Sequence, residues 1–234
     1  MNQNIIEIKN LSKEFRRRPA LRNITMSIPY NCVYGLLGVN GAGKTTLLKT
    51  MTGLLRPSFG EIYIHGHKWS RKDLADIGAL IESPPVYENL TAWENMKVKA
   101  MLIGASDRQI EEALELVKIA ETGRKKAGAF SLGMKQRLGI ALALLGNPKL
   151  LVLDEPINGL DPLGIQELRQ LIRSFPERGV TVILSSHILS EIQQTADYIG
   201  IISNGMIGFE GSVSEQKNLE ELFMEIVKNG RADG

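Results

Sequence analysis

Gly38-Val39-Asn40-Gly41-Ala42-Gly43-Lys44-Thr45 fits the pattern G-x-x-x-x-G-K-[ST] at every fixed position. The pattern has a physical reason. Its glycines let the backbone turn sharply and bring N–H groups against phosphate oxygens. Lys44 supplies a cation that reaches the outer phosphates, and Thr45 supplies a hydroxyl for Mg²⁺. Asn40, Ala42 and Thr46 lie in the same loop and helix start, so they join the candidate binding set. Just before the loop, Val33-Tyr34-Gly35-Leu36-Leu37 is an apolar, strand-like run. Just after it, Thr46-Leu47-Leu48-Lys49-Thr50-Met51 reads as a helix whose N-terminal dipole faces the anion. Strand, loop and helix in that order predict a nucleoside triphosphate site.

Composition narrows the surroundings. A chain of 234 residues allows one large or two small domains. Hydrophobic content of 43% and charged content of 23% are those of an ordinary globular protein. The net charge of +2 gives no bias toward nucleic acid, and none is expected as a partner. The basic runs Arg16-Arg17-Arg18 and Arg124-Lys125-Lys126 read as solvated loops. Cys32 is the sole cysteine, which excludes an intrachain disulfide, fits a reducing cytosol and reads as a small buried side chain. No window approaches the ~18 apolar residues of a membrane span. The start of the chain, Met1 to Asn10, is polar and does not read as a signal peptide. The expectation is a cytosolic chain that another chain must hold if it works at a membrane.

Working outward, Ile5 to Ile8, Ile24 to Ile28 and Glu61 to His65 alternate like half-exposed strands, and Asp76 to Ile81 reads as a buried one. Glu82-Ser83-Pro84-Pro85 breaks the pattern. From Thr91 to Gly146 the periodicity is helical. Thr91-Ala92-Trp93-Glu94 is a capping box, Asp107 to Ala120 has an apolar helical repeat, and Lys135 to Leu145 reads as a third helix. Strands then alternate with helices again: Leu150 to Leu153, Pro162 to Phe175, Val180 to Leu184, Leu189 to Ala196 and Tyr198 to Ser203. Met206 to Glu210 is expected as a hairpin partner, and Leu219 to Lys228 as an amphipathic closing helix. The tail from Asn229 to Gly234 reads as disordered. The order argues for an α/β core with a mostly parallel sheet, interrupted by a helical insert.

Leu150-Leu151-Val152-Leu153-Asp154-Glu155 is an apolar strand ending in two carboxylates. Ligands bind at the C-terminal ends of strands in open α/β sheets. Asp154 is therefore expected to hold Mg²⁺ opposite Thr45. Strand side chains alternate, so Glu155 points elsewhere and can take a proton from, or orient, the attacking water. His187 follows the strand Val180 to Leu184 and the pair Ser185-Ser186, where it can reach a γ-phosphate.

Taken together these residues resemble an ABC-transporter ATPase along nearly the whole chain. Phe130-Ser131-Leu132-Gly133-Met134-Lys135-Gln136 is similar to the family's signature motif, and Asn158-Gly159-Leu160-Asp161 to the loop that pairs across its dimer. Phe15 is similar to the aromatic on which adenine stacks. The resemblance implies a P-loop NTPase core of the RecA-like kind, spanning 1–83 and 148–218, with an antiparallel β subdomain. It implies a helical signature subdomain over 84–147, and a C-terminal helix and tail over 219–234. The ligands implied are ATP and Mg²⁺. A second copy would lie head to tail, and its Ser131, Gly133 and Asp161 would reach the first copy's ATP. Ser131 and Gly133 begin a helix, so they would offer N–H groups, a hydroxyl and a positive dipole end to the anion. Leu132 stands where the family usually has a first glycine, and Met134 where it has a glutamine.

Glu82 occupies the place of a family glutamine that touches Mg²⁺ and the attacking water. A carboxylate binds a hard cation more strongly than an amide, so altered Mg²⁺ affinity or altered coupling is expected there; the alternative is that no glutamine is needed and Glu82 points to solvent. Glu82 together with this signature resembles the bacterial subfamily that exports, or gives immunity to, lantibiotics and bacitracin-like peptides. Permease chains would dock near residues 83–101, through Pro84, Pro85, Val86, Tyr87, Leu90 and Trp93, and hold this chain on the cytoplasmic side of the membrane. Two other readings stay open: a cassette protein acting on nucleic acid or ribosomes, and a switch that binds nucleotide without hydrolysing it.

Overall fold

The computed structural model describes residues 3–16 and 18–232. Arg17 of the first basic run, and Asp233 and Gly234 of the tail, lie outside them. The strand before the phosphate loop, β3 (Val33–Leu37), is buried along its whole length. So are β7 (Leu150–Leu153) and β8 (Thr181–Ser186). Continuous apolar burial is what a central parallel strand requires. These strands sit in a six-stranded sheet with β6 (Ile77–Leu80), β9 (Tyr198–Ser203) and β10 (Met206–Ser212), in the order β10-β9-β3-β8-β7-β6. The β3–β8, β3–β9, β7–β8 and β6–β7 pairs are parallel, and β10 returns antiparallel to β9. Strand β3 lies between β9 and β8, so the loop leaving it opens at a switch point of the sheet.

The second sheet is antiparallel, in the order β2-β1-β4-β5, from β1 (Asn4–Phe15), β2 (Arg18–Pro29), β4 (Phe59–Ile64) and β5 (His67–Lys68). The first two strands run well beyond the alternating segments. Register shifts between Ile8 and Leu11 and between Leu11 and Lys13 break the two-residue period. Side chains of β3 divide between two cores. Tyr34 and Leu36 join Ile6, Ile28 and Met51 beneath the antiparallel sheet, while Val33 and Leu37 join the helices on the other face. The Cys32 thiol is buried among the first group and pushed up to about 12, by desolvation and then by the Asp197 charge.

On the second face pack α2 (Ala92–Ile103), α3 (Asp107–Leu116) and α4 (Leu132–Leu144), then α5 (Pro162–Ser174) and α6 (Leu189–Thr195). Helix α1 (Lys44–Met51) follows the phosphate loop, and α7 (Leu219–Ala232) closes the chain. The capping box at Thr91 forms. Its hydroxyl accepts from Glu94 N at 3.1 Å, and Glu94 Oε2 accepts from Thr91 N at 2.7 Å. Three expectations need correction. The helix expected from Asp107 to Ala120 ends at Leu116, because Lys118 takes φ 60° and breaks it. Strand β8 continues through Ser185 and Ser186, both buried. The tail is not disordered from Asn229: α7 carries Asn229 and Gly230 as helix and runs to Ala232. Among the described residues no helix is long and apolar enough to cross a membrane.

Candidate active site

The phosphate loop takes the strained path its glycines permit. Gly41 and Gly43 adopt φ 81° and 112°. A Cβ on Gly43 would stand 2.9 Å from the carbonyl oxygen of Ala20, and one on Gly38 would stand 2.5 Å from that of Ile202. Gly43 caps α1 without a side-chain hydrogen bond and the first turn carries no acid, which leaves its N–H groups for an anion. A cleft of about 390 Å³ opens over this turn. It is lined by Asn40, Gly41, Gly43, Lys44, Thr45 and Thr46, with Glu155, Asn158 and His187 opposite. A larger cavity of about 630 Å³, between α3 and the turn after α4, contains none of these groups.

Two polar networks meet in the cleft. In the first, Asp154 is buried at the end of β7. Its Oδ2 accepts from Thr45 Oγ1 at 2.8 Å, and its Oδ1 from Ser185 Oγ at 2.6 Å. Ser185 Oγ in turn accepts from Glu155 N at 2.9 Å. In the second, the buried Lys44 Nζ donates to Gly38 O at 2.6 Å and stands 3.2 Å from Glu155 Oε1. Glu155 Oε2 lies 2.8 Å from His187 Nδ1. Glu155 holds φ 48°, an uncommon conformation for a non-glycine residue. That turn, with the alternation along β7, sends adjacent carboxylates into different networks. Thr45, Asp154 and Ser185 form a hydroxyl–carboxylate corner. Lys44, Glu155 and His187 form a cation–carboxylate–imidazole chain.

Other sequence candidates fall outside the cleft. Glu82 takes φ 67° just past β6, and its carboxylate accepts from Lys49 Nζ at 2.5 Å on an exposed surface. Phe15 is 45% exposed and pairs with Arg18 across a hairpin whose continuation, Pro19 and Ala20, does line the cleft. Ser131 and Asp161 are helix N-caps, accepting from Met134 N at 3.3 Å and Gly164 N at 3.1 Å. Gly133 is half-buried in the first turn of α4. Sequence reasoning missed Ser185 as a ligand of Asp154, and it missed Asn158, Asn204 and Gly205 in the cleft wall. An Asn-Gly pair between two strands was the available signal for the last two.

The family model for the ABC transporter matches residues 21–158. The chain belongs to this family. Its core, bearing the phosphate loop and the Asp154–Glu155 strand end, is that of an ABC ATPase. The chain is 50% identical over 219 residues to the lantibiotic transport ATP-binding protein SrtF of Streptococcus pyogenes, covering 94% of this chain and 96% of that one. To the bacitracin transport ATP-binding protein BcrA of Bacillus licheniformis it is 43% identical, over 94% of this chain and 74% of that one. A solved ATP-binding subunit of an ABC transporter superposes with a TM-score of 0.84 at 30% identity, covering 95% of this chain and 99% of that one. A dimeric post-hydrolysis cassette, MJ0796 bound to ADP and Pi, superposes with a TM-score of 0.78 at 26% identity, over 89% and 98%. The ABC ATPase described here thus shares both fold and family with subunits that bind ATP.

Proposed function

We propose that this ABC ATPase hydrolyses ATP at the interface of a head-to-tail dimer and drives separate membrane permeases that export, or give immunity to, a lantibiotic-like peptide. The Lys44–Glu155–His187 chain in the cleft carries the catalytic part. The likeness to SrtF and BcrA supports the cargo, and the dimeric relative supports the assembly. The same likeness disfavours a nucleic-acid or ribosomal role.

The reaction follows from groups already in place. Lys44 Nζ gives up Glu155 and the Gly38 carbonyl for phosphate oxygens. Release of that contact frees Glu155 to accept a proton from water aimed at the γ-phosphate. His187 Nδ1 keeps the Glu155 carboxylate oriented. The first-turn N–H groups of α1 hold the phosphates. Thr45 Oγ1 and Asp154 Oδ2, 2.8 Å apart, suit a hard cation. Among the described residues no group of three or more His, Cys, Asp or Glu could hold a metal, so phosphate oxygens and water would complete the shell. Mg²⁺, when bound there, supplies positive charge against the phosphates. Glu82 would join that shell only on leaving Lys49, which ties any change at the ion to the start of the helical insert.

Steady-state ATPase rates of the wild type and of Glu155→Gln test the chemistry, and equal rates would refute the base. Docking at residues 83–101 rests on Tyr87, which is 57% exposed, while Val86 and Trp93 pack partly against the core. Loss of copurifying permease chains on Tyr87→Asp is expected. Retained transport by that variant would remove the docking surface. These contacts would hold the chain on the cytoplasmic face. The 84–147 insert is the part we expect to move as a unit against the 1–83 and 148–218 core, with 219–234 as an appendage to it.

A further inference from the structure

Two serines end β8 side by side, and their hydroxyls face different partners. Ser185 Oγ is turned to the Asp154–Glu155 end of β7. Ser186, equally buried, is turned the other way, as neighbours on a strand are. Its Oγ donates to Glu191 Oε2 at 2.7 Å and accepts from Ile188 N at 3.0 Å. The second of these bonds closes a short turn with His187 at its centre. The carbonyl oxygen of Ser186 accepts from Gly38 N, the first residue of the phosphate loop, at 3.2 Å. Lys44 Nζ donates to the carbonyl of that same Gly38. Ser186 therefore joins the phosphate loop to the turn that carries His187.

A hydroxyl has one proton to donate and rotates to suit its partners. With the proton committed to Glu191, a lone pair is left facing the Ile188 N–H. Glu191 thus selects the rotor position that holds the turn. The turn in turn sets His187 Nδ1 at 2.8 Å from Glu155 Oε2. A bond from a buried hydroxyl to a carboxylate is charge-assisted and stronger than one between neutral groups. Helix α6 starts from Ile188 without a side-chain cap hydrogen bond, so the turn has no such cap to hold it.

We propose that Glu191 is a positioning residue for hydrolysis: through the Ser186 hydroxyl it fixes the turn on which His187 holds the Glu155 carboxylate. The inference rests on the roles of Glu155 and His187 proposed above. Glu191 is outside the set of residues that line the cleft, so it acts without touching nucleotide. A carboxylate in the first turn of a helix has a plainer use, against the positive end of the helix dipole. The two uses need different things. The dipole needs the charge, whereas the Ser186 hydroxyl needs only an acceptor oxygen. Glutamine supplies the oxygen without the charge.

The test is the steady-state ATPase of the full-length chain as wild type, Glu191→Ala, Glu191→Gln, Ser186→Ala, the Ser186→Ala/Glu191→Ala double variant and His187→Ala. Glu191→Ala should lower kcat by about tenfold or more while the KM for ATP stays within about twofold. Glu191→Gln should recover most of that rate. Ser186→Ala should also be slow, and the double variant no slower than the slower single one, because the two side chains act as one unit. The chain has three histidines, so the ring nitrogen signals of His187 can be assigned by their loss in His187→Ala. They should shift in Glu191→Ala, while those of His65 and His67 stay in place. A wild-type kcat in Glu191→Ala overturns the inference. So does a Glu191→Gln as slow as Glu191→Ala, which would assign the carboxylate to the helix dipole. Should Glu191→Ala not fold, Ser186→Ala, which deletes a single oxygen, carries the same prediction, and an unslowed Ser186→Ala overturns it. His187→Ala separates the two claims. A wild-type rate there overturns the role of His187 and this inference with it, whereas a slow His187→Ala beside an unslowed Glu191→Ala overturns only the role of Glu191.

Discussion

The nucleotide cleft and the start of the signature helix are built on opposite plans. In the cleft every charged group is already answered: Lys44 by Gly38 and Glu155, Glu155 by His187, and Asp154 by Thr45 and Ser185. At the signature, Ser131 accepts, among the described residues, from its own helix, and Ser131 and Leu132 are exposed. A self-answered cluster is a site that waits with its geometry set. An exposed helix start is, on the proposed dimer, half of a site. On the dimer proposed above, the difference divides the work between two places, and one chain would hold nucleotide without completing the reaction.

Two substitutions break this comparison most severely. Glu155→Gln removes the proposed proton acceptor and should lower turnover by at least about 100-fold, with an ATP-stabilised dimer on size-exclusion chromatography. Gly133→Asp puts a negative charge where the partner's phosphate would meet the helix start. The Cβ it adds makes only an ordinary contact with Leu160, so the fold survives. ATPase activity should fall by about tenfold or more, the equivalent of a lost charge-assisted contact of about 1.4 kcal/mol or more. ADP binding to the monomer should not change. Weakened monomer binding would show that the two regions are not separate.

A smaller effect sharpens the cleft half. Ser185→Ala leaves the buried Asp154 Oδ1 and the Glu155 N–H without their partner. The expected cost is about 1–3 kcal/mol, read as a lower urea midpoint at unchanged m-value. A shift under about 0.5 kcal/mol would mean that water replaces the hydroxyl without loss.

Much of the cleft was legible in the sequence because its chemistry is local. The phosphate loop is contiguous, and Asp154 and Glu155 follow one apolar strand. Ser185 was not legible as a ligand. It ends a buried strand, and only the pairing of β7 with β8 brings it beside Asp154, 31 positions away. Asn204 and Gly205 reach the cleft wall through a turn that hydrogen-bonds Ala42, again a matter of sheet order. The long first hairpin was hidden by its register shifts, since a bulge flips the side-chain alternation on which strand reading depends. Glu82 was placed by sequence beside the metal. Its pairing with Lys49 comes from the left-handed turn at φ 67°, which nothing in the local residue types announces.

The smallest effect divides two neighbouring lysines at the signature. The sequence reads Lys125 and Lys126 alike, as one solvated basic run just before the signature. In the fold Lys126 Nζ is held by Glu94 Oε2 at 3.0 Å, on the side of α2. Lys125 Nζ instead stands 5.8 Å from the centroid of the Phe130 ring and 4.0 Å from Met134 Sδ, both flanking Ser131. A cation on an aromatic face keeps its charge available to an approaching anion. Lys125→Ala should therefore raise the KM for ATP by less than about tenfold, and the increment should shrink with added salt, as exposed charges are screened. Lys126→Ala should leave KM where it is. Equal effects from the two would mean that the half-site feels only the summed charge of its loop and not the placement that Phe130 gives to one of them.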